Sequence, residues 1–418
     1  MKIIADLQIH SKHSRATSKN LSIDNLEKYG KIKGIDLLGT GDFQHPLHRK
    51  EIDEKLTEDD KGILRTKNGF AFLWQTEISL MFSQNGRRAV HLLIFAPNSK
   101  IADKITEYLG SKGRLDYDGR PIFGISCRDL VKDLKEIDDK IEIIPAHCMT
   151  PWFGLFGSKS GFDSLKECFQ DQTEKIYAVE SGMSADPGML WRFEEIAEGK
   201  VNVVSFSDAH SMWPWRIGRE ATIFDIEELS YDNIIKAIRT GEGLKATIET
   251  PPSYGKYHWD GHRNCGFSCS PKETKKINGI CPVCKKPLTI GVDYRIEELA
   301  KNPQGFKPKN AKPYSLLIPL HEIIAFNLNS SLNTKKTWDI YNSLINHFEN
   351  EFNILFNVTK EKLLEKRFDE KLIELILLNR QGKISIAPGF DGVYGRIVLN
   401  ENERPGEVIR KEKQQTLV

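Results

Sequence analysis

Seven short apolar runs alternate with helix-like stretches over residues 1–225, and this alternation narrows the fold more than any other feature. The runs are "KIIADL", "IDLLGT", "FAFLW", "AVHLLIFA", "IEIIPA", "KIYAVE" and "VNVVSF". Amphipathic patterns such as "IDNLEKYGKIKG" and "CRDLVKDLKEID" separate most of them. Strand–helix alternation implies parallel pairing. Seven such units predict an α/β fold, a closed or nearly closed β/α barrel.

Six of the runs lead to polar residues at or just past their ends, and the fourth carries one within it. They are Gln8 and His10, Asp42 and His45, Glu77, His91, His147, Glu180, and finally Asp208 with His210. In a β/α barrel the C-terminal strand ends converge on one face, which holds the active site. Singly, each residue has an ordinary explanation: an Asp after a strand caps the next helix, and a His sits at a surface. Jointly they would repel and desolvate one another unless divalent ions neutralised them. Mixed imidazole and carboxylate ligands suit zinc, manganese or iron. Ions sharing carboxylates suit phosphoryl chemistry, where they activate water and steady the leaving oxygen. His13 either joins the site or faces solvent, and Glu180 is a ligand, a supporting group or a cap.

This set resembles the polymerase-and-histidinol-phosphatase (PHP) metallophosphoesterases. The resemblance implies a distorted seven-stranded barrel with up to three metal ions. The family's opening His-x-His reads Gln8-Ile9-His10 here, and its Asp-His reads Asp42-Phe43, with His45 following. Glu77, His91, His147, Asp208 and His210 match directly. The resemblance thus assigns metal ligation to Gln8, His10, Asp42, His45, Glu77, His91, His147, Asp208 and His210. Glu77, Asp208 and His210 are the expected catalytic groups. Two or three divalent ions (Zn2+, Mn2+ or Mg2+) are the expected cofactors.

Beyond the barrel the character changes. Cys265, Cys269, Cys281 and Cys284 are spaced C-x3-C-x11-C-x2-C, a pattern that predicts one structural zinc ion. From Lys256 to Lys312 twelve Lys/Arg face five Asp/Glu, an excess of seven positive charges. That excess fits either a nucleic-acid contact or a solvated linker. Lys275 and Lys276 are candidate phosphate contacts. From Tyr314 onward apolar residues recur at helical spacing. The expected organisation is a barrel at 1–225, a connection at 226–254, a zinc domain at 255–300, a linker at 301–313, a helical DNA-binding domain at 314–400 and a charged tail at 401–418. No signal-peptide shape and no long apolar span is present, which predicts an intracellular, membrane-free protein.

The order of barrel motifs, zinc knot and helical segment resembles the endonuclease Q family. The motifs that carry it are "DLQIHS", "LLGTGDFQHP", "TEIS", "PAHCMTPWFG", "ESGMSADP", "SFSDAHS" and "PGFDGVYG". The resemblance implies hydrolysis of DNA on the 5′ side of hypoxanthine, uracil, xanthine or an abasic site, leaving a 3′-hydroxyl and a 5′-phosphate. Such an enzyme must extrude the damaged nucleotide. Trp152, Phe153 and Ser158 are candidate pocket residues, and Arg216 and Arg219 candidate backbone contacts. The tail segment Gln414–Leu417 resembles the start of a sliding-clamp-binding motif, and a monomer is expected. A small-molecule PHP phosphatase and a non-enzymatic DNA- or clamp-binding scaffold are the rival functions.

Overall fold

The first run forms the strand Lys2–Asp6, paired in parallel with Leu37–Gly39, which pairs in parallel with Ala71–Leu73. These pairings, in a computed structural model, belong to residues 1–398, the part of the chain that is described. The expected tail at 401–418, with Gln414–Leu417, lies outside the described residues. Past Trp74 the third run continues as Gln75–Ser83, paired with Arg87–Phe95, which pairs with Glu142–Pro145. The Cys148 amide donates to the Glu180 carbonyl at 2.9 Å and carries the ring on to Ala178–Glu180. That strand pairs in parallel with Asn202–Val204. The Ala209 amide on the Gln8 carbonyl and the His10 amide on the Ala209 carbonyl, both 3.2 Å, return the ring to its start.

One buried cluster draws on all seven runs through Leu7, Leu37, Leu73, Leu93, Ile144, Ala178 and Val204. Side chains from every strand meeting in one core is the packing of a filled barrel. The surrounding helices start at side-chain caps. Ser22, Asn98, Ser126 and Ser230 each accept an amide hydrogen bond from the third residue on. Each such cap stabilises its helix by about 1 kcal/mol. In Cys127–Ile137 the buried residues are Cys127, Leu130, Val131 and Leu134, one stripe of a helical surface.

Two expectations require correction. The ring is not all parallel: Gln75–Ser83 and Arg87–Phe95 form an antiparallel hairpin. Only residues 84–86 join them, and a parallel crossover needs a dozen residues or more. The turn uses Asn85 (φ 51°) and Gly86 (φ 117°). The segment 226–254 is also more than a connection. It holds the helix Tyr231–Thr240 and the strand Leu244–Glu249, which pairs antiparallel with Ala221–Asp225. Tyr314–Leu316 then joins the same sheet.

The cysteine-rich knob is a ribbon, Asp260–His262 with Phe267–Cys269, followed by the helices Pro271–Lys276 and Val292–Leu299. Arg295 fastens it to the barrel by donating to the carbonyls of Phe156 (3.0 Å) and Phe162 (3.2 Å). The helical region comprises Leu320–Asn327, Lys335–Phe348, Glu351–Phe356, Lys360–Glu365 and Glu370–Arg380. Its buried residues are continuous with the barrel's outer core. Among the described residues no helix is long and apolar enough to cross a membrane.

Candidate metal centre and its cavity

Two groups of potential ligands meet at one face of the ring. Glu77, His91 and His147 form the first, and His10, Asp208 and His210 the second; within each, the donor atoms lie within 4.8 Å of one another. Glu77 Oε1 is 2.6 Å from His91 Nδ1 and 3.3 Å from His147 Nε2. Its other oxygen is 3.0 Å from His10 Nε2, which is itself 3.1 Å from Asp208 Oδ1. The triads are therefore adjacent, with His10 and Glu77 at their boundary. The reversed strand places His91: it is the middle residue of Arg87–Phe95, and antiparallel pairing, with Leu92 opposite Pro145, sets it beside the end of Glu142–Pro145.

Surrounding groups hold the ligands in place. Ser79 Oγ is 2.8 Å from His91 Nε2, and Thr150 Oγ1 is 3.0 Å from His147 Nδ1. His210 Nδ1 is 2.9 Å from the Asp208 carbonyl, so Nδ1 carries the proton and Nε2 keeps its lone pair. Partners of this kind orient metal ligands. Glu180 resolves as a supporting group. Its carboxylate accepts the His147 and Phe206 amides and so ties two strand ends together. Asp42, His147, Phe153 and Asp208 all adopt left-handed backbone conformations, with φ of 33°, 31°, 64° and 48°. Such strain in non-glycine residues gathers at functional sites. Gly182 is the close-packed exception to side chains here: a Cβ on it would lie 2.5 Å from His147 Cβ.

Protonation states favour ligation. Burial would raise Glu77, yet Arg120 and the neighbouring imidazoles hold it well below the usual carboxylate range. Burial likewise opposes ionisation of Asp42 and Asp208, but His10 and, for Asp208, His210 keep both low. Burial drives His91 down to about 3 and also lowers His210. His10 is the exception. Burial would lower it, but Asp208, Asp42 and Glu77 raise it well above its ordinary value. Three carboxylates around one imidazole therefore demand positive charge, and this donor set fits divalent cations.

The centre opens into a cavity of about 300 Å³. Asp208, His91 and His147 line it together with Trp152, Phe153, Tyr257 and Tyr394. The Trp152 and Tyr257 rings meet edge to face at 5.4 Å.

Known proteins with this architecture include two solved structures. One is the lesion-specific endonuclease PfuEndoQ of Pyrococcus furiosus, at TM-score 0.85, 31% identity and 96% coverage of both chains. The other is endonuclease Q bound to a 27-mer duplex with an abasic lesion at its active site, at TM-score 0.86 and 30% identity. That match covers 96% of this chain and 97% of the other. The chain belongs to the endonuclease Q family. As a member it is a metal-dependent DNA endonuclease. The uncharacterized protein YqxK of Bacillus subtilis is 27% identical over 415 residues, 95% of this chain and 99% of that protein. The uncharacterized protein MJ0043 of Methanocaldococcus jannaschii is 34% identical over 256 residues. This match covers 60% of the chain and 31% of MJ0043, so the chain corresponds to only part of that protein. The model of the MJ0043 C-terminal domain matches residues 319–383.

Several expected ligands of this endonuclease stand outside the two triads. Asp42 lies behind His10, 3.2 Å from Nδ1, and accepts from the Ser11 amide and Ser14 hydroxyl. Gln8 donates to Glu77 Oε2 at 3.0 Å. His45 stacks on His13 at 4.4 Å and precedes the helix Pro46–Lys55. Ser158 leaves the expected pocket, because its hydroxyl donates to the Ile290 carbonyl at 3.2 Å. Of the candidate backbone contacts, Arg219 lines the cavity, Lys275 lies over the Tyr294 ring and Lys276 is exposed.

In the knob His262 stands with three of the four cysteines as a potential ligand. The grouped donors are His262, Cys265, Cys281 and Cys284, with His262 Nδ1 3.2 Å from both Cys265 and Cys284 sulfurs. Cys269 pairs with Asp260, two residues along the ribbon from the His262–Phe267 pair. Two residues amount to about 6.7 Å of strand rise. Its sulfur instead lies 3.2 Å from Thr274 Oγ1.

Arg120 is the principal residue missed by the sequence reading. It sits outside every apolar run, in "DYDGRP", and its Nη1 is 3.3 Å from Glu77 Oε1. Tyr257 and Tyr394, which reach the cavity from the knob and the C-terminal turn, were also missed.

Proposed function

We propose that this endonuclease cuts DNA on the 5′ side of an abasic site or a deaminated base such as hypoxanthine, uracil or xanthine, after the damaged nucleotide leaves the stack. One observation carries the proposal: an aromatic-walled cavity opens directly on both ligand triads. The solved relatives, one described as lesion-specific and one holding an abasic duplex, support it. The barrel is read as the PHP type, and the protein as a monomer that binds damaged DNA.

Glu77, His91 and His147 would hold one divalent ion and His10, Asp208 and His210 another; the knob residues His262, Cys265, Cys281 and Cys284 would hold structural zinc. Bound divalent ions supply Lewis acidity for water activation and for charge on the leaving oxygen. The protein supplies the rest. Ionised Glu77 and Asp208 and neutral His91 and His210 are ready as ligands. Asp42 fixes the His10 ring. Arg120 adds a fixed positive charge beside Glu77, where the substrate's phosphodiester brings negative charge. Trp152, which is 43% exposed, and Phe153 offer π-faces for a base taken out of the duplex.

Cleavage of a uracil-containing duplex by Trp152→Ala and Phe153→Ala variants tests the arrangement. Each variant is expected to lose roughly tenfold or more, the range of one base-stacking contact. Equal rates for both variants and the parent enzyme would remove the cavity from the mechanism.

A further inference from the structure

Part of the cavity wall is cationic in a way the ligand triads do not use. Arg219, Lys256 and Tyr394 all line it. Lys256 Nζ lies 4.7 Å from the centre of the Tyr394 ring, and the Arg216 guanidinium 5.7 Å from it. Arg219 is braced by Nε donating to the Ser207 carbonyl at 2.9 Å, while its Nη1 is buried with no hydrogen-bond partner among the described residues. Glu322 reaches this group, 4.0 Å from Arg216. It already accepts the Tyr254 hydroxyl, and burial pushes it toward its neutral form. Three cations thus gather at one phenol, and burial pushes the two acids behind them, Glu322 and Glu220, toward their neutral forms, which leaves the group able to take an anion. Burial would raise the Tyr394 phenol, but Arg219, Arg216 and Lys256 draw it below its ordinary value.

The arrangement is built by the fold. Gly395 donates to the Tyr254 carbonyl at 3.0 Å, and Gly389 to the Ser253 carbonyl at 2.8 Å, docking the C-terminal turn on the segment before Lys256. A Cβ on Gly395 would lie 2.3 Å from the Ser253 carbonyl oxygen, so the docking needs glycine there. The same cavity is bordered by Asp208, His91 and His147.

We propose that Arg216, Arg219, Lys256 and Tyr394 form a phosphate site that grips the backbone phosphate on the 3′ side of the nucleotide drawn into the cavity. The inference rests on the proposed lesion-cutting function, which supplies that nucleotide. With the cut on its 5′ side, the 5′ phosphate belongs at the triads and the 3′ phosphate is the one left for a second anion site. Guanidinium and ammonium donors meet a phosphodiester with charge-assisted hydrogen bonds, and the Tyr394 hydroxyl adds a neutral donor.

Duplex affinity in an Asp208→Ala background, read by fluorescence anisotropy, tests this. The duplex carries one abasic site and either a normal phosphate or an uncharged methylphosphonate on its 3′ side. Lys256→Met and the methylphosphonate should each weaken binding by roughly tenfold. Combined, they should lose no more than either alone, because both delete one contact. Tyr394→Phe should show the same coupling with a smaller loss. Fully additive losses, or a methylphosphonate without effect, would overturn the site. Cleavage by the enzyme with Asp208 intact separates the two ideas. Coupled binding without cutting keeps the phosphate site and rejects the lesion-cutting function. Cutting without coupling does the reverse.

Discussion

Asp208 illustrates how much one residue carries. It belongs to the second triad, borders the cavity and holds a strained backbone conformation. Asp208→Ala should lower cleavage by at least about 10³-fold, as expected when a group used in the transition state is deleted. Duplex binding should stay measurable, since phosphate contacts elsewhere dominate affinity. Retained turnover would take Asp208 out of the ligand set. His258 provides a pH signature. Burial pushes its imidazole down to about 4, from an ordinary 6.5, and its Nδ1 has no hydrogen-bond partner among the described residues. Between these values the unfolded chain binds the proton and the native state does not, so the residue's contribution to stability falls as pH drops from about 6.5 to about 4. Urea titrations across that window should give a shallower pH slope for His258→Asn than for the parent; identical slopes would contradict the assignment.

Most of the site was legible at residue level because it repeats one rule, a polar side chain after an apolar run. Glu77, His147, His10, Asp208 and His210 all obey it, and His91 sits inside its run. Arg120 follows no such run and leaves no periodic trace. Gln8 was legible as a departure from the family motif, and its amide now donates to Glu77.

Among the elements, strands were readable and strand direction was not. Apolar runs announce a strand without saying which way its neighbour runs. The runs ending at Trp74 and starting at Ala89 leave residues 75–88 between them, long enough for a crossover, so spacing did not announce the antiparallel hairpin. In the knob, cysteine spacing drew attention to Cys269, whereas the fold groups His262 with the other three cysteines. Zinc content by mass spectrometry distinguishes the two. Cys269→Ser should keep the knob ion, while Cys284→Ser and His262→Ala should each lose it or bind it at least about tenfold more weakly. Loss of zinc from Cys269→Ser alone would restore the four-cysteine assignment.

Across the whole molecule, the helical region is anchored to the barrel rather than tethered by a linker. Lys33, 1% exposed on the first barrel helix, lies 2.6 Å from fully buried Glu351 in the helical region. Lys33 also donates to the Pro214 carbonyl, and Glu351 accepts from Tyr341 and the Leu320 amide. Lys33→Met leaves a carboxylate buried without its cation and should cost about 3–5 kcal/mol; adding Glu351→Leu should recover part of that loss. Equilibrium denaturation of the single and double variants checks both. This contact joins residues more than three hundred positions apart, so no local pattern could announce it.

The central claim is that the triads and the cavity act together on one phosphodiester beside a lesion. The most direct measurement uses a duplex with a single abasic site, labelled at the 5′ end of the damaged strand and incubated with manganese. The account predicts one product, ending in a 3′-hydroxyl immediately 5′ of the lesion, with the undamaged duplex left intact. A cut on the 3′ side of the lesion, or equal cutting of undamaged DNA, would contradict it.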